Sequence, residues 1–212
     1  MTTSLGKACL WLVTVAVSAL AYPRLPATVP VHWGLDGQPD RWGSRWELLL
    51  LGPVLLLVLG VLERALERRD QVKQPGDDQG PRRQVSVLAS GLVACVHVLL
   101  LGYSTGVVRD FLQAMVAGLS LFWVPMGNVM GRVRPNRTVG IRTPWVFRSP
   151  EVWRRTHRLA GVLMVLAGTL GLVGALALPG PQALTLLIGL LLASTLGPAV
   201  YSYVLWQREQ GT

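Results

Sequence analysis

Residues 159–178 read LAGVLMVLAGTLGLVGALAL, a run of 20 residues without a charged side chain. About 20 apolar residues are enough for a helix to cross the hydrocarbon core of a bilayer. Comparable runs recur along the chain of 212 residues, of which 51% are hydrophobic and 15% are charged. Because soluble domains carry roughly 25% charged residues, this composition predicts an integral membrane protein. It excludes a disordered chain and leaves no room for a separate soluble catalytic domain.

Six apolar runs predict an all-α polytopic membrane protein with six transmembrane helices in a single membrane domain. The expected spans are residues 5–22, 46–62, 85–108, 111–130, 159–178 and 183–206. They pair into three hairpins, covering residues 1–62, 85–130 and 159–206. A loop at 23–45 lies inside the first hairpin, a linker at 63–84 follows it, and a loop at 131–158 precedes the third. The second span is the shortest of the six.

The basic residues predict the orientation of these spans. Sixteen Lys and Arg residues fall on the side of the two termini, the linker and the loop at 131–158, whereas four fall on the side of the loop at 23–45. The positive-inside rule therefore predicts cytoplasmic termini and an extracytoplasmic loop at 23–45. The same asymmetry accounts for the net charge of +9, since basic loops are attracted to anionic membrane lipids. No motif that reads nucleic acid accompanies the charge, so we expect no direct nucleic-acid partner.

The loop at 23–45 contains four prolines and three glycines and is expected to be ordered but not helical. Within it His32, Asp36 and Asp40 recur every four residues. One His and two Asp side chains are weak candidates for a divalent metal site. In a short loop rich in turns, Asp side chains more often accept hydrogen bonds from their own backbone. Three tryptophans in and after the loop are expected at the outer headgroup level: Trp33, Trp42 and Trp46.

The loop at 131–158 ends in Ser149, Pro150 and Glu151, a sequence typical of the start of a helix. Arginines alternate in it with aromatic residues, namely Arg142, Trp145, Phe147, Arg148, Trp153, Arg154 and Arg155. One interpretation is an interfacial belt, with rings among the headgroups and arginines on lipid phosphates. The other is a surface that binds a partner protein.

Inside the membrane, His97 lies near the centre of the third span. A hydroxyl group on another helix could satisfy a neutral imidazole there, whereas a role in proton or ligand binding is the alternative. The hydroxyl groups expected at comparable depth are those of Thr14, Ser120, Thr169, Ser194 and Thr195. Small residues at every fourth position predict close packing of spans five and six, and they are Ala167, Gly171 and Ala175 on one and Gly189, Ala193 and Gly197 on the other.

Both loops resemble known signatures. Seven residues are similar to the LPxxxPxHxxxxGxPD signature of a domain of unknown function in bacterial membrane proteins: Leu25, Pro26, Pro30, His32, Gly37, Pro39 and Asp40. Trp33 stands where that domain more often has Phe. A second set resembles the GN, PNxxxGIRTPW and VWxxTHRxAG signatures of SdpI-type immunity proteins: Gly127, Asn128, Pro135, Asn136, Gly140, Ile141, Arg142, Thr143, Pro144, Trp145, Trp153, Thr156, His157, Arg158 and Gly161.

This resemblance implies a multi-pass protein of the bacterial inner membrane that protects its host against a secreted peptide toxin. In the system that named the family, the protein is also a receptor that draws a transcriptional repressor to the membrane. The implied extracytoplasmic motif consists of His32, Trp33, Asp36, Gly37, Pro39 and Asp40. The implied cytoplasmic motif consists of Asn128, Pro135, Asn136, Gly140, Arg142, Thr143, Pro144, Trp145, Trp153, Thr156, His157 and Arg158. The resemblance implies no enzymatic activity and no cofactor.

Two other classes of function are open to the sequence. A small six-helix transporter or channel is suggested by Gly52–Pro53 and Gly197–Pro198, which could interrupt spans two and six. An intramembrane hydrolase would need a nucleophile and a base in contact. Cys9 and His157 are the candidates on the cytoplasmic side, without an evident third group. The sequence predicts no oligomeric state.

Overall fold

The computed structural model describes residues 2–73, 80–136 and 138–211. These residues form six α-helices: α1 (Thr2–Ala21), α2 (Arg45–Lys73), α3 (Gly80–Ser104), α4 (Phe111–Met130), α5 (Pro150–Ala177) and α6 (Gly180–Gln210). They also form two single-turn 3-10 helices, at Tyr22–Arg24 and Val146–Arg148. Two strands, β1 (Thr28–Trp33) and β2 (Pro39–Ser44), connect α1 to α2. All six helices are long and apolar enough to cross a membrane, which confirms the predicted fold class.

The linker at 63–84 is shorter than predicted. Helix α2 continues to Lys73, 29 residues in all, and α3 already begins at Gly80. The prediction that the second span is the shortest is wrong, because the span of α2 covers Arg45–Leu66, 22 residues, whereas the first and fourth spans have 20 each. The rest of the linker, residues 74–79, lies outside the described residues.

The loop at 23–45 is ordered and largely not helical, as predicted, but it forms a β-hairpin that was not predicted. Strands β1 and β2 pair antiparallel, with Thr28 opposite Ser44 and Trp33 opposite Pro39. Val29 is buried in an apolar cluster with residues of α2, α3 and α4, such as Leu48 and Phe111. The hairpin is therefore packed onto the helices. We call this end of the helices the hairpin end.

Polar contacts tie the helices together at the opposite end, where the chain begins and ends. Lys7 on α1 forms an ion pair with Glu63 on α2 and donates a hydrogen bond to Ser86 on α3. Arg132, just after α4, donates to the side chain of Gln84 on α3 at 3.1 Å. Ser149, in the loop between α4 and α5, donates to Glu209 near the end of α6 at 3.0 Å. These contacts place that loop at the same end as both termini. We call it the termini end.

Helices α4 and α5 approach each other through glycines. A Cβ atom at Gly161 would lie 2.7 Å from the carbonyl oxygen of Gly127, and a Cβ atom at Gly168 would lie 2.7 Å from the carbonyl oxygen of Ser120. No side chain fits at such distances, so the two backbones are in direct contact. The hydrophobic effect does not drive helices together in lipid, because the surrounding acyl chains are equally apolar. Close packing of this kind therefore stabilises the contact between α4 and α5.

The small residues predicted to pack α5 against α6 are buried on α5, as predicted, but are exposed on α6, where the prediction is wrong. Only Leu178 and Pro179 separate the two helices, and the small residues Ala167, Gly171 and Ala175 of α5 are buried. The small residues predicted for the contact on α6 are exposed instead: Gly189, Ala193 and Gly197. A spacing of four places residues on one face of a helix, but it does not say which face meets the neighbour.

We predict that Gly161→Ala destabilises the protein by about 1–3 kcal/mol, the usual cost of overpacking a filled interface. The added methyl group would push α5 away from the Gly127 carbonyl. Gly189→Ala is the matched control, since nothing lies within 4 Å of its Cβ position and alanine favours a helix. Thermal unfolding of both variants in the same detergent measures the difference. Equal midpoints would contradict the glycine contact.

Candidate functional site

The loop between α4 and α5 is a folded cap on the termini end, and Asn136 organises it. The Asn136 side chain is buried and uses both of its polar atoms. Its Nδ2 donates to the carbonyl groups of Arg134, at 2.8 Å, and Val139, at 3.1 Å. Its Oδ1 accepts from the backbone N–H groups of Thr138, at 2.8 Å, and Val139, at 2.7 Å. One side chain thus supplies hydrogen-bond partners that regular secondary structure would otherwise provide to the backbone of this turn.

His157 joins the cap to α5. Its Nδ1 lies 2.9 Å from the carbonyl oxygen of Trp153, and its Nε2 accepts from the backbone N–H of Ile141 at 3.0 Å. Because Nε2 accepts, the proton is on Nδ1 and the imidazole is neutral. Gly140 has a φ of 113° and lies directly against this ring, where a Cβ atom would overlap it. Glycine at this position is therefore required by both the backbone and the packing.

Two tryptophans fix the remaining parts of the cap. The indole N–H of Trp153 donates to the Val133 carbonyl at 2.7 Å, and its ring stacks on His157. The indole N–H of Trp145 donates to Ser202 Oγ on α6 at 2.7 Å. The Thr143 hydroxyl lies 3.4 Å from the same oxygen. The cap therefore rests on α5 at one side and on α6 at the other.

These contacts correct the expectation of an exposed aromatic surface for Trp145 and Trp153, whereas Phe147 is exposed as expected. Trp153 is fully buried, and Trp145 is half-buried against the rings of Tyr203 and Trp206. The predicted helix start is confirmed, since Ser149 Oγ accepts from the N–H of Val152 at 3.2 Å.

The cytoplasmic motif therefore divides into a buried and an exposed part. Its buried members are Asn136, Trp153, Thr156 and His157, and its half-buried members are Gly140, Thr143 and Trp145. Its exposed members are Asn128, Pro135, Arg142, Pro144 and Arg158. Outside the motif, Glu151 pairs with the exposed Arg154 and Arg155 at 2.7 and 2.6 Å. The outer surface of the cap is thus dominated by arginine.

At the hairpin end, the extracytoplasmic motif brings His32 and Asp40 together. Their Nδ1 and Oδ1 atoms are 2.6 Å apart, and both side chains are exposed, at 64% and 51%. Asp36 instead accepts from the backbone N–H of Gln38 at 3.1 Å, in a turn where Gly37 has a φ of 81°. Over the described parts of the chain, no three His, Cys, Asp or Glu side chains cluster as a metal site. The geometry favours turn chemistry for Asp36.

Trp33 does not share the position of the other two tryptophans. Its ring stacks on Phe111 at a centroid distance of 3.8 Å and meets Tyr103 edge-on at 5.4 Å. Trp42 and Trp46 are 60% and 55% exposed. Trp33 therefore anchors the hairpin to the turn between α3 and α4. This difference could not be predicted from the sequence, because a packed and an exposed tryptophan can occupy the same kind of position in a loop.

His97 is buried and lies 2.7 Å, through Nε2, from Ser18 Oγ on α1. Its ring also packs on Gly52 of α2, so it joins three helices. Hydrogen bonding across the bundle was predicted correctly, but Ser18 was not among the predicted partners. The predicted hydroxyl of Thr14 bonds to the Leu10 carbonyl of its own helix. Thr169 and Thr195 likewise bond within their helices, and Ser194 accepts from Trp123.

The fold and these two loop structures define a multi-pass α-helical membrane protein with a hairpin at one end and a folded cap at the other. Residues 132–202 match the SdpI/YfhL protein family, and residues 9–57 match a domain of unknown function, DUF1648. The predicted resemblance to the SdpI family is therefore confirmed over residues 132–202, and the DUF1648 match precedes it in the chain. The first match covers the cap, and the second covers the β-hairpin.

The chain is also similar to two individual proteins. The immunity protein SdpI of Bacillus subtilis is 23% identical over 196 residues, which cover 92% of this chain and 91% of that protein. An uncharacterised protein of Archaeoglobus fulgidus is 40% identical over 79 residues, 32% of this chain and 43% of that protein. No solved structure matches the chain.

We predict that Asn136→Ala loosens the cap, because two backbone N–H groups and two carbonyl groups lose their buried partner. Each unsatisfied group costs about 1–3 kcal/mol. Limited trypsin digestion of purified protein should cut the variant faster at Arg142, whereas the Arg134–Pro135 bond resists trypsin. Asn128→Ala is the matched control, since the Asn128 side chain is exposed. Equal digestion rates for the two variants would contradict the role assigned to Asn136.

Proposed function

We propose that this protein is an SdpI-like immunity protein of the bacterial inner membrane, which protects its cell against a secreted peptide toxin. The observation that carries this proposal is the alignment with the immunity protein SdpI over 92% of the chain. That alignment spans both the hairpin and the cap. Both regions are ordered, and several of their motif residues make specific hydrogen bonds or ring contacts. This order is consistent with a specific role for each region.

The proposal places the hairpin outside the cell and the cap in the cytoplasm. The 16 to 4 distribution of Lys and Arg supports this orientation. A secreted peptide would then meet the hairpin first. The exposed side chains there include the His32–Asp40 pair and Leu35, which is 77% exposed. A polar pair beside an apolar tip offers both the hydrogen bonding and the contact area that a peptide ligand needs.

We further propose that the cap recruits a cytoplasmic transcriptional repressor. The arginines on its outer surface support this, since arginine is enriched where interfaces concentrate their binding energy. Arg142 and Arg158 are exposed members of the motif and are the best candidates for contact. Trp145 is a weaker candidate than its residue type suggests, because its ring and N–H already contact α6.

The role we propose is not enzymatic. His157 uses both ring nitrogens to hold the cap, which leaves neither for proton transfer. Cys9 lies exposed on α1, whereas His157 is buried on α5. A transporter is also less well supported than an immunity protein. Helices α2 and α6 each continue as one helix through Pro53 and Pro198, without the break that a transport site would use.

The decisive assay is survival of a sensitive bacterium that expresses this protein and is challenged with a panel of secreted peptide toxins. We predict that His32→Gln and Asp40→Asn each lower survival at least tenfold at matched membrane abundance. Arg142→Gln should keep most of the protection but reduce membrane recruitment of a fluorescently tagged repressor. Arg24→Gln, an exposed substitution outside the His32–Asp40 pair, is the control.

Two results would count against this proposal. Absence of protection against every toxin by the unaltered protein would remove the immunity function. Equal loss of protection and recruitment from either loop would reject separate roles for the hairpin and the cap. It would favour a single conformational state that involves both ends.

A further inference from the structure

We propose that the termini end holds a binding site for one anionic phospholipid. The site is a groove of about 500 Å³ between α1, α3 and α4. Its volume lies within the range of roughly 300–1,000 Å³ that is usual for small-molecule sites. This inference does not depend on the immunity function, since it uses neither the hairpin nor the arginines proposed to contact a repressor, Arg142 and Arg158.

The groove has an apolar wall that suits an acyl chain. Val87 and Leu88 of α3 line it on one side, and Pro125 and Val129 of α4 line it on the other. Gly6 of α1 forms its edge, and nothing lies within 4 Å of the position that a Cβ atom there would take. The absence of a side chain at Gly6 therefore keeps the groove wide.

The mouth of the groove is polar and carries a positive charge. Arg132, Gln84 and Asn128 line it together. The Arg132 guanidinium donates through Nε to the Asn128 carbonyl at 3.3 Å and through Nη2 to Gln84 Oε1 at 3.1 Å. Among the described residues it has no carboxylate partner within 4 Å. Its remaining N–H groups, including both on Nη1, can donate to a phosphate.

A phospholipid matches this arrangement in both charge and depth. The apolar wall belongs to the membrane-spanning parts of α3 and α4, whereas Arg132 lies just past the last residue of α4. An acyl chain in the groove would therefore bring its own phosphate to the guanidinium. Basic pockets between transmembrane helices bind anionic headgroups in the same way, and charge-assisted hydrogen bonds make arginine selective for them.

The test is native mass spectrometry of the full chain in a neutral detergent, titrated with dioleoyl phosphatidylglycerol or dioleoyl phosphatidylcholine. We expect one phosphatidylglycerol to bind about tenfold more tightly than phosphatidylcholine, a difference of about 1.4 kcal/mol. Arg132→Gln should abolish that preference. Arg158→Gln, an exposed arginine at the same end that does not line the groove, should preserve it.

A second pair of variants tests the acyl chain independently of charge. Gly6→Leu should fill the groove and weaken the binding of both lipids by a similar factor. Gly60→Leu is its control, since Gly60 lies on α2 and also has nothing within 4 Å of its Cβ position.

Three outcomes would overturn the proposal. Equal affinity of the unaltered protein for the two lipids would remove the charged site. Equal loss from Arg132→Gln and Arg158→Gln would indicate general surface attraction. A dimer that forms without lipid and is lost in Gly6→Leu would assign the groove to a second copy of the chain.

Discussion

The contact between the backbones of α4 and α5 is the constraint on which the termini end depends. At Gly127 and Gly161 the two helices are closer than any side chain allows. His157 lies about one turn before Gly161, and Trp153 lies about one turn before His157. The glycine contact therefore sets the position of both rings that hold the cap. An apolar side chain gains little free energy when it moves from lipid into a helix contact, because lipid is equally apolar. The helices are therefore held together by close van der Waals packing of complementary surfaces.

The two signature regions correspond to two parts of the structure that meet at α3 and α4. The DUF1648 region covers most of α1, the hairpin and the first part of α2. The SdpI/YfhL region covers the cap, α5 and most of α6. Helix α4 contacts both, through Phe111 at the hairpin end and through Gly127 at the termini end. One helix thus carries the packing of both signature regions.

Hydropathy predicted the six helices because the bilayer requires long apolar runs whose backbone is satisfied internally. The loops were less predictable, since their structure depends on contacts between distant residues. Asn136 is a typical turn residue in any sequence, and only the fold shows that it is buried with four hydrogen bonds. The same limit applies to His97, where a span boundary uncertain by a few residues was enough to miss Ser18.

The roles proposed for the hairpin and the cap require that they face opposite sides of the membrane, with the hairpin outside. Single cysteines at Gln38 and at Arg158 can test this in a chain whose Cys9 and Cys95 are replaced by serine. Gln38 and Arg158 are both exposed. With a membrane-impermeant maleimide, we expect labelling of Gln38→Cys in intact cells and of Arg158→Cys only after permeabilisation. Labelling of Arg158→Cys but not of Gln38→Cys in intact cells would contradict this orientation.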